Sequence, residues 1–303
     1  MRLAFSEELT PLRVKLVHLV LSCFFTIFRQ RGGGFRAISA CFTMTENYEQ
    51  KLARRIAKTG SRLCVGIDPR PDLMDGKVED VLRRLIAETA PYAAALKPNM
   101  AYFEAMGIKG VELLEELLSE VPEDLPVILD AKRGDIGETQ RYYAKAYFEN
   151  WNVDAVTLSP FMGFDSIEPF LHHEGKGVYL LGVTSNPGSQ DIQRQKLADG
   201  RYVFELVQEF RQRGIDEGLP GSVGLVVGLT NVAPEVMERV ADVPLLVPGL
   251  GAQGGDLAGL AAEKRDAPTV INVSRGIMFP EEGNSFSDQA KYYAELIANQ
   301  FAN

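Results

Sequence analysis

Histidine and cysteine are scarce in this 303-residue chain, with three of each. The histidines are His18, His172 and His173, so a Ser-His-Asp triad or a multi-histidine metal centre has little material to draw on. Cys23, Cys41 and Cys64 are odd in number and not spaced like zinc ligands, which argues for a reducing compartment and against a disulfide framework. A basic stripe is also lacking. The formal net charge is −9 and the pI about 5.1, which speaks against a nucleic-acid partner. The run Val14 to Phe28 is apolar except for Lys15, His18, Ser22 and Thr26. It falls short of the roughly 20 apolar residues of a membrane span.

What the chain does have is 46% hydrophobic residues, enough for a large core. Residues 1–43 stand apart, with six Lys/Arg against two Glu, a net of +4 in a chain of net −9. Basic residues precede an apolar run there, as in a secretory signal, but no clear small-residue cleavage site follows it. The segment MTENYEQKLARRIAKTGS, beginning at Met44, reads as an ordinary domain start. The expectation is an extension at 1–43 outside the fold and one domain at 44–303.

From Leu63 on, short apolar runs alternate with amphipathic stretches. The strand candidates span 63–68, 94–99, 127–132, 155–160, 178–184, 223–229, 244–250 and 269–276. Nearly continuous apolar runs suit parallel strands covered on the outside by helices. Helical spacing appears over 78–90 and 110–121, and over 201–214, where Gly214 reads as the stop. Eight βα units predict a (β/α)8 TIM barrel. A doubly wound open sheet is the alternative, weakened because no GxGxxG follows the first strand.

Polar residues collect at strand ends: Asp68, Lys97 and Asn99, Asp130 and Lys132, Ser159, Thr184 and Ser185, Arg275. A barrel carries its chemistry at the carboxyl ends of its strands. In the run LDAKRGDIGET (129–139), the strand period of two puts Asp130 and Lys132 on one face, with Gly134 breaking the strand before Asp135. A solvated loop is the ordinary fate of such a run, but here the preceding strand is apolar. Buried charges cost several kcal/mol unless paired, and two unit charges ~4 Å apart interact by ~4 kcal/mol at an effective dielectric of ~20. An acid–base–acid array would keep its lysine protonated and repel a further anion. A substrate carboxylate pushed against Asp130 would gain by leaving as CO2, and Lys132 would stabilise and protonate the carbanion left behind. A remotely bound phosphate would supply the holding energy.

The glycines of PGLGAQGGD (248–256) would let backbone N–H groups approach an anion, and Arg275 can bind phosphate in a bidentate manner; two ordinary glycine turns and a surface arginine are the plainer alternative, but both features follow the last two strands. GVTSNPGS (182–189) reads as a plain turn or as a mobile loop. His172 and His173 suit a helix end, Trp151 packing and Cys64 an inert core.

Taken in order, CVGIDPRPD, LKPNMAYFE, ILDAKRGDIGET, GVTSNPGS, PGLGAQGGD and NVSRGI resemble the orotidine 5′-phosphate decarboxylases in their longer bacterial form, over about Tyr48 to Phe301. The resemblance implies that Lys97, Asp130, Lys132 and Asp135 form a charged network, with Lys132 the proton donor to C6 of the pyrimidine. It implies that Asp135, Ile136 and Thr139 reach across a homodimer interface into a shared active site. It further implies Asp68 on a ribose hydroxyl, Ser185 on the pyrimidine, Gln253 and Arg275 on the phosphate, and Asn99 as a site residue. The substrate would be a small nucleotide, with no cofactor, no metal and no membrane or nucleic-acid partner, in the cytoplasm. A magnesium-dependent sugar-phosphate decarboxylase or aldolase, a Schiff-base aldolase using Lys132, and a non-catalytic phosphate sensor are the competing readings.

Overall fold

The computed structural model describes residues 46–229, 234–249 and 257–302. Within them lie eight parallel strands: β1 (Leu63–Ile67), β2 (Ala95–Pro98), β3 (Ile128–Arg133), β4 (Ala155–Leu158), β5 (Gly177–Val183), β6 (Ser222–Val227), β7 (Leu245–Pro248) and β8 (Thr269–Val273). They form one sheet in the order β2-β1-β8-β7-β6-β5-β4-β3. The two end strands meet through parallel bridges, Leu96 to Val127 and Asn99 to Asp130, so the sheet closes on itself. Closure removes the open-sheet alternative, and the expected (β/α)8 barrel is the fold.

All eight expected strands are present with slightly different ends. Two local expectations need correction. The helix over Val203–Asp216 runs past Gly214, which sits buried in it with Leu171 packed where a side chain would begin. Close packing, not termination, accounts for that glycine. Arg275 does not end β8 but opens a short helix, Arg275–Met278.

Side chains alternate along each strand, and one set fills the barrel. Cys64, Ala95, Ile128, Ala155 and Tyr179, from five successive strands, belong to one interior cluster. Burial pushes the Cys64 thiol up to about 12, in keeping with inert core. The other face of the strands packs against the helices in a larger cluster.

The helix Tyr48–Thr59 begins with a capping box, Asn47 and Gln50 satisfying each other's backbone amides. Its apolar residues Tyr48 and Leu52 enter the interior cluster, so the helix plugs the barrel at the amino ends of the strands. There the Tyr48 hydroxyl donates to that of Tyr179 (3.1 Å) and Lys51 pairs with Asp154 (2.5 Å). Gly177 makes room for this plug, since a Cβ at that position would lie 2.5 Å from the Tyr48 ring. Gly177→Ala should therefore destabilise the fold by about 1–3 kcal/mol. Urea unfolding checks this, and an unchanged midpoint would contradict the plug.

Residues 1–43, read above as an extension, lie outside the described residues. None of the described helices is long and apolar enough to cross a membrane.

Candidate active site

Two residues beyond the interior cluster, toward the carboxyl ends of the strands, the barrel lining turns polar. Ala95 gives way to Lys97, Ile128 to Asp130 and Ala155 to Thr157. Lys97 and Asp130 are buried, and the Lys97 Nζ donates to Asp130 Oδ2 (2.8 Å). Lys132 Nζ donates to the other oxygen, Oδ1, at 2.5 Å. One carboxylate thus holds two ammonium groups. The side chains differ in access, 5% exposed for Lys97 and 50% for Lys132, so Lys132 is the one open to a ligand.

Burial alone would push the Lys97 amine down, but Asp130 and Asp68 outweigh it and hold it above the ordinary lysine value. Burial likewise pulls the Asp130 carboxyl up. Lys97 and Lys132 reverse this and hold it well below the usual carboxylate range. Both groups therefore remain charged at neutral pH inside a barrel that would otherwise neutralise them.

The Asp130–Lys132 pairing arises differently from the regular strand expected. The β3–β4 register shifts between Leu129 and Arg133, and Lys132 takes a left-handed φ of +47°. For a non-glycine residue this costs on the order of 1–3 kcal/mol. The Lys132 N–H donates to the Thr157 hydroxyl (2.9 Å), which donates in turn to Asp130 Oδ1 (3.0 Å). The expected shared face is thus replaced by a bulge that folds the lysine back onto its neighbour.

A cleft of about 730 Å³ opens at the same end of the barrel, past β1 and β8, with Asp68, Arg70, Tyr102, Asn272, Ser274 and Arg275 among its lining residues and none of the three array residues among them. Asp68 faces the cleft and acts electrostatically on Lys97, which connects the two regions. Its Oδ2 accepts from the Ser274 hydroxyl (2.5 Å), while Oδ1 is buried with no partner among the described residues. The Oδ1 of Asn272 is in the same condition. A ligand offering donors would satisfy both. The exposed Arg275 supplies a cation on the same cleft.

The remaining expected residues lie elsewhere. Asp135 is not paired with Lys132 within this chain, where the Lys132 amine meets Asp130 instead, and its Oδ1 accepts from the Ile136 amide (2.8 Å). Ile136 and Thr139 are exposed, Ile136 to 62%. Asn99 caps the helix Met100–Ala105 by accepting from the Ala101 amide (3.2 Å). Ser185 follows β5 and packs against Gly228 at the end of β6, where a Cβ would lie 2.7 Å from the Ser185 nitrogen. Gln253 lies outside the described residues.

Sequence reading missed Thr157, Asn272, Ser274, Arg70 and Tyr102. The strand period offered one signal, since Thr157 and Asn272 fall on the inward set two residues beyond Ala155 and Val270.

Residues 61–283 match the family model described as the orotidine 5′-phosphate decarboxylase / HUMPS family. An orotidine 5′-phosphate decarboxylase of Variovorax paradoxus is 44% identical over 259 residues, covering 80% of this chain and 93% of the relative. One from Ralstonia pickettii is 41% identical, covering 84% and 99%. The structure of Leishmania donovani OMP decarboxylase, 36% identical, superposes with a TM-score of 0.72 over 85% of this chain and 99% of the other. The motifs that carried the resemblance thus fall within a likeness covering the barrel as a whole, and the chain belongs to the orotidine 5′-phosphate decarboxylase / HUMPS family.

Proposed function

We propose that this protein decarboxylates orotidine 5′-phosphate to uridine 5′-phosphate and CO2, the last step of de novo UMP synthesis, without a cofactor or metal. The observation that carries the reading is the Lys97–Asp130–Lys132 array at the carboxyl end of the barrel. Arg275, which lines the cleft, holds the phosphate together with Gln253 of the PGLGAQGGD motif, and a ribose hydroxyl donates to the unpartnered oxygen of Asp68. Ser185 meets the pyrimidine edge from a loop that closes over it, and Asn99 borders the site. These contacts hold the substrate carboxylate against Asp130. Loss of CO2 relieves the repulsion between two anions, and the C–C bonding pair remains on C6. Lys132 stabilises that carbanion and then gives it a proton.

Purified protein mixed with orotidine 5′-phosphate in excess chelator should release CO2 and uridine 5′-phosphate in equal amounts. A requirement for added magnesium would favour the metal-dependent reading, and absence of turnover would remove the activity.

The site is completed by a second copy of the chain. Asp135 and Ile136, from the loop after β3, and Thr139, from the first turn of the helix Gly137–Ala144, extend into the partner's site. In support, Ile136 is exposed, and so are Phe161 (78%) and Met162 (49%) after β4. Lys132→Ala and Asp135→Ala homodimers should each be nearly inactive. Mixed in equal amounts and allowed to exchange subunits, they should regain about one quarter of wild-type activity, because half the dimers carry one intact site. Mixtures no more active than their components would contradict a shared site. The setting is the cytoplasm.

A further inference from the structure

We infer that Thr157 is a positioning residue for Lys132, its hydroxyl fixing the backbone kink that turns the lysine amine onto Asp130. The inference rests on the reading of Lys132 as proton donor.

The pairing of β3 with β4 is regular at Ile128–Ala155 and Leu129–Val156 and resumes only at Arg133–Leu158. Between these points β3 advances four residues while β4 advances two, so the extra chain must leave the ladder. Lys132 lies in that stretch with φ +47°. Its amide finds its acceptor in a side chain of β4, the Thr157 hydroxyl at 2.9 Å. Thr157 is 1% exposed, so solvent cannot take over this bond.

The direction of the bonds is fixed as well. The hydroxyl has one proton, and it points to Asp130 Oδ1 at 3.0 Å. A lone pair is therefore what receives the Lys132 amide. The same Oδ1 accepts from Lys132 Nζ at 2.5 Å. The bonds close a ring from the lysine backbone through threonine and aspartate back to the lysine amine. Backbone kink and amine position are thus set by one hydroxyl. Valine matches the shape of threonine and removes only that hydroxyl. The proposed nucleotide-binding groups Asp68, after β1, and Arg275, after β8, are not part of the ring, so its loss should act on the chemical step rather than on binding.

The test compares Thr157→Val with Thr157→Ser, and Thr157→Ala stands in should the valine variant not fold. Thr157→Val should lower kcat by ~30- to 100-fold, the scale of a misplaced reacting group, with KM changed less than about threefold. Thr157→Ser should recover kcat to within about threefold of wild type, because it restores the hydroxyl. Wild-type kcat in Thr157→Val, or a serine variant as slow as the valine one, would overturn the inference. Crystal structures provide a readout independent of turnover. Lys132 should leave the left-handed region in the valine variant and keep it in the serine variant. An unchanged Lys132 backbone and Asp130 contact in Thr157→Val would overturn the inference even if catalysis fell. A wild-type protein that does not decarboxylate orotidine 5′-phosphate would overturn the activity reading instead, leaving the structural comparison to judge Thr157.

Discussion

Lys132→Ala should lower kcat for orotidine 5′-phosphate by at least about 10⁴-fold, since in the proposed mechanism this residue is both the proton donor and a cation beside the developing carbanion, worth about 10²–10⁴ and about 10²–10³ respectively. Uridine 5′-phosphate should still bind within about tenfold of wild type, because uniform binding and transition-state stabilisation are separable. Arg275 and Asp68 line the cleft, whereas Lys132 makes its ion pair with Asp130. Lys97 does not substitute for it, being 5% exposed and held on the other Asp130 oxygen. Steady-state kinetics and equilibrium dialysis check the two halves separately. A variant with unchanged kcat would remove the proton-donor role. Reduction by borohydride that traps substrate on wild-type Lys132 would favour Schiff-base chemistry instead.

Asp130→Asn should be costly in a different quantity. Asp130 is the carboxylate that balances two ammonium groups, and Lys97 is 4% exposed overall. Removing one partner of a buried pair costs about 3–5 kcal/mol, because the other charge stays uncompensated. The variant should therefore unfold at lower urea, as well as losing the repulsion that the proposed mechanism assigns to Asp130. Its pH dependence has a definite sign. The folded-state carboxyl of Asp130 is held below its unfolded value, so its contribution is full above the ordinary aspartate pKa of about 3.9 and is lost as pH falls through the depressed value. The stability gap between wild type and Asp130→Asn should be widest near neutral pH and should narrow below about pH 4. A gap that widens on acidification would contradict the pairing.

The barrel was legible because its strands are covered on both faces and read as unbroken apolar runs. Lys97 and Asp130 were legible for the complementary reason that charge at the end of such a run calls for a partner, and the structure places them 2.8 Å apart. The bulge was not legible. Regular strand periodicity put Lys132 beside Asp130, whereas the contact is made through a kink whose acceptor is supplied by another strand. Thr157 was hidden because threonine in an apolar run is an ordinary strand former. Gly214 misled because a glycine looks the same whether it ends a helix or admits a neighbour such as Leu171. The Tyr48 plug pairs residues 131 apart in sequence, a relation local pattern does not carry.

The most direct measurement of the central claim is hydrogen exchange at C6 of uridine 5′-phosphate in D2O, followed by proton NMR. If Lys132 passes its proton to a C6 carbanion, the reverse transfer also occurs at the same site. Wild type should then replace the C6 hydrogen by deuterium, and Lys132→Ala should not, although it binds the nucleotide. Decarboxylation by wild type without any such exchange, or equal exchange in Lys132→Ala, would contradict the account.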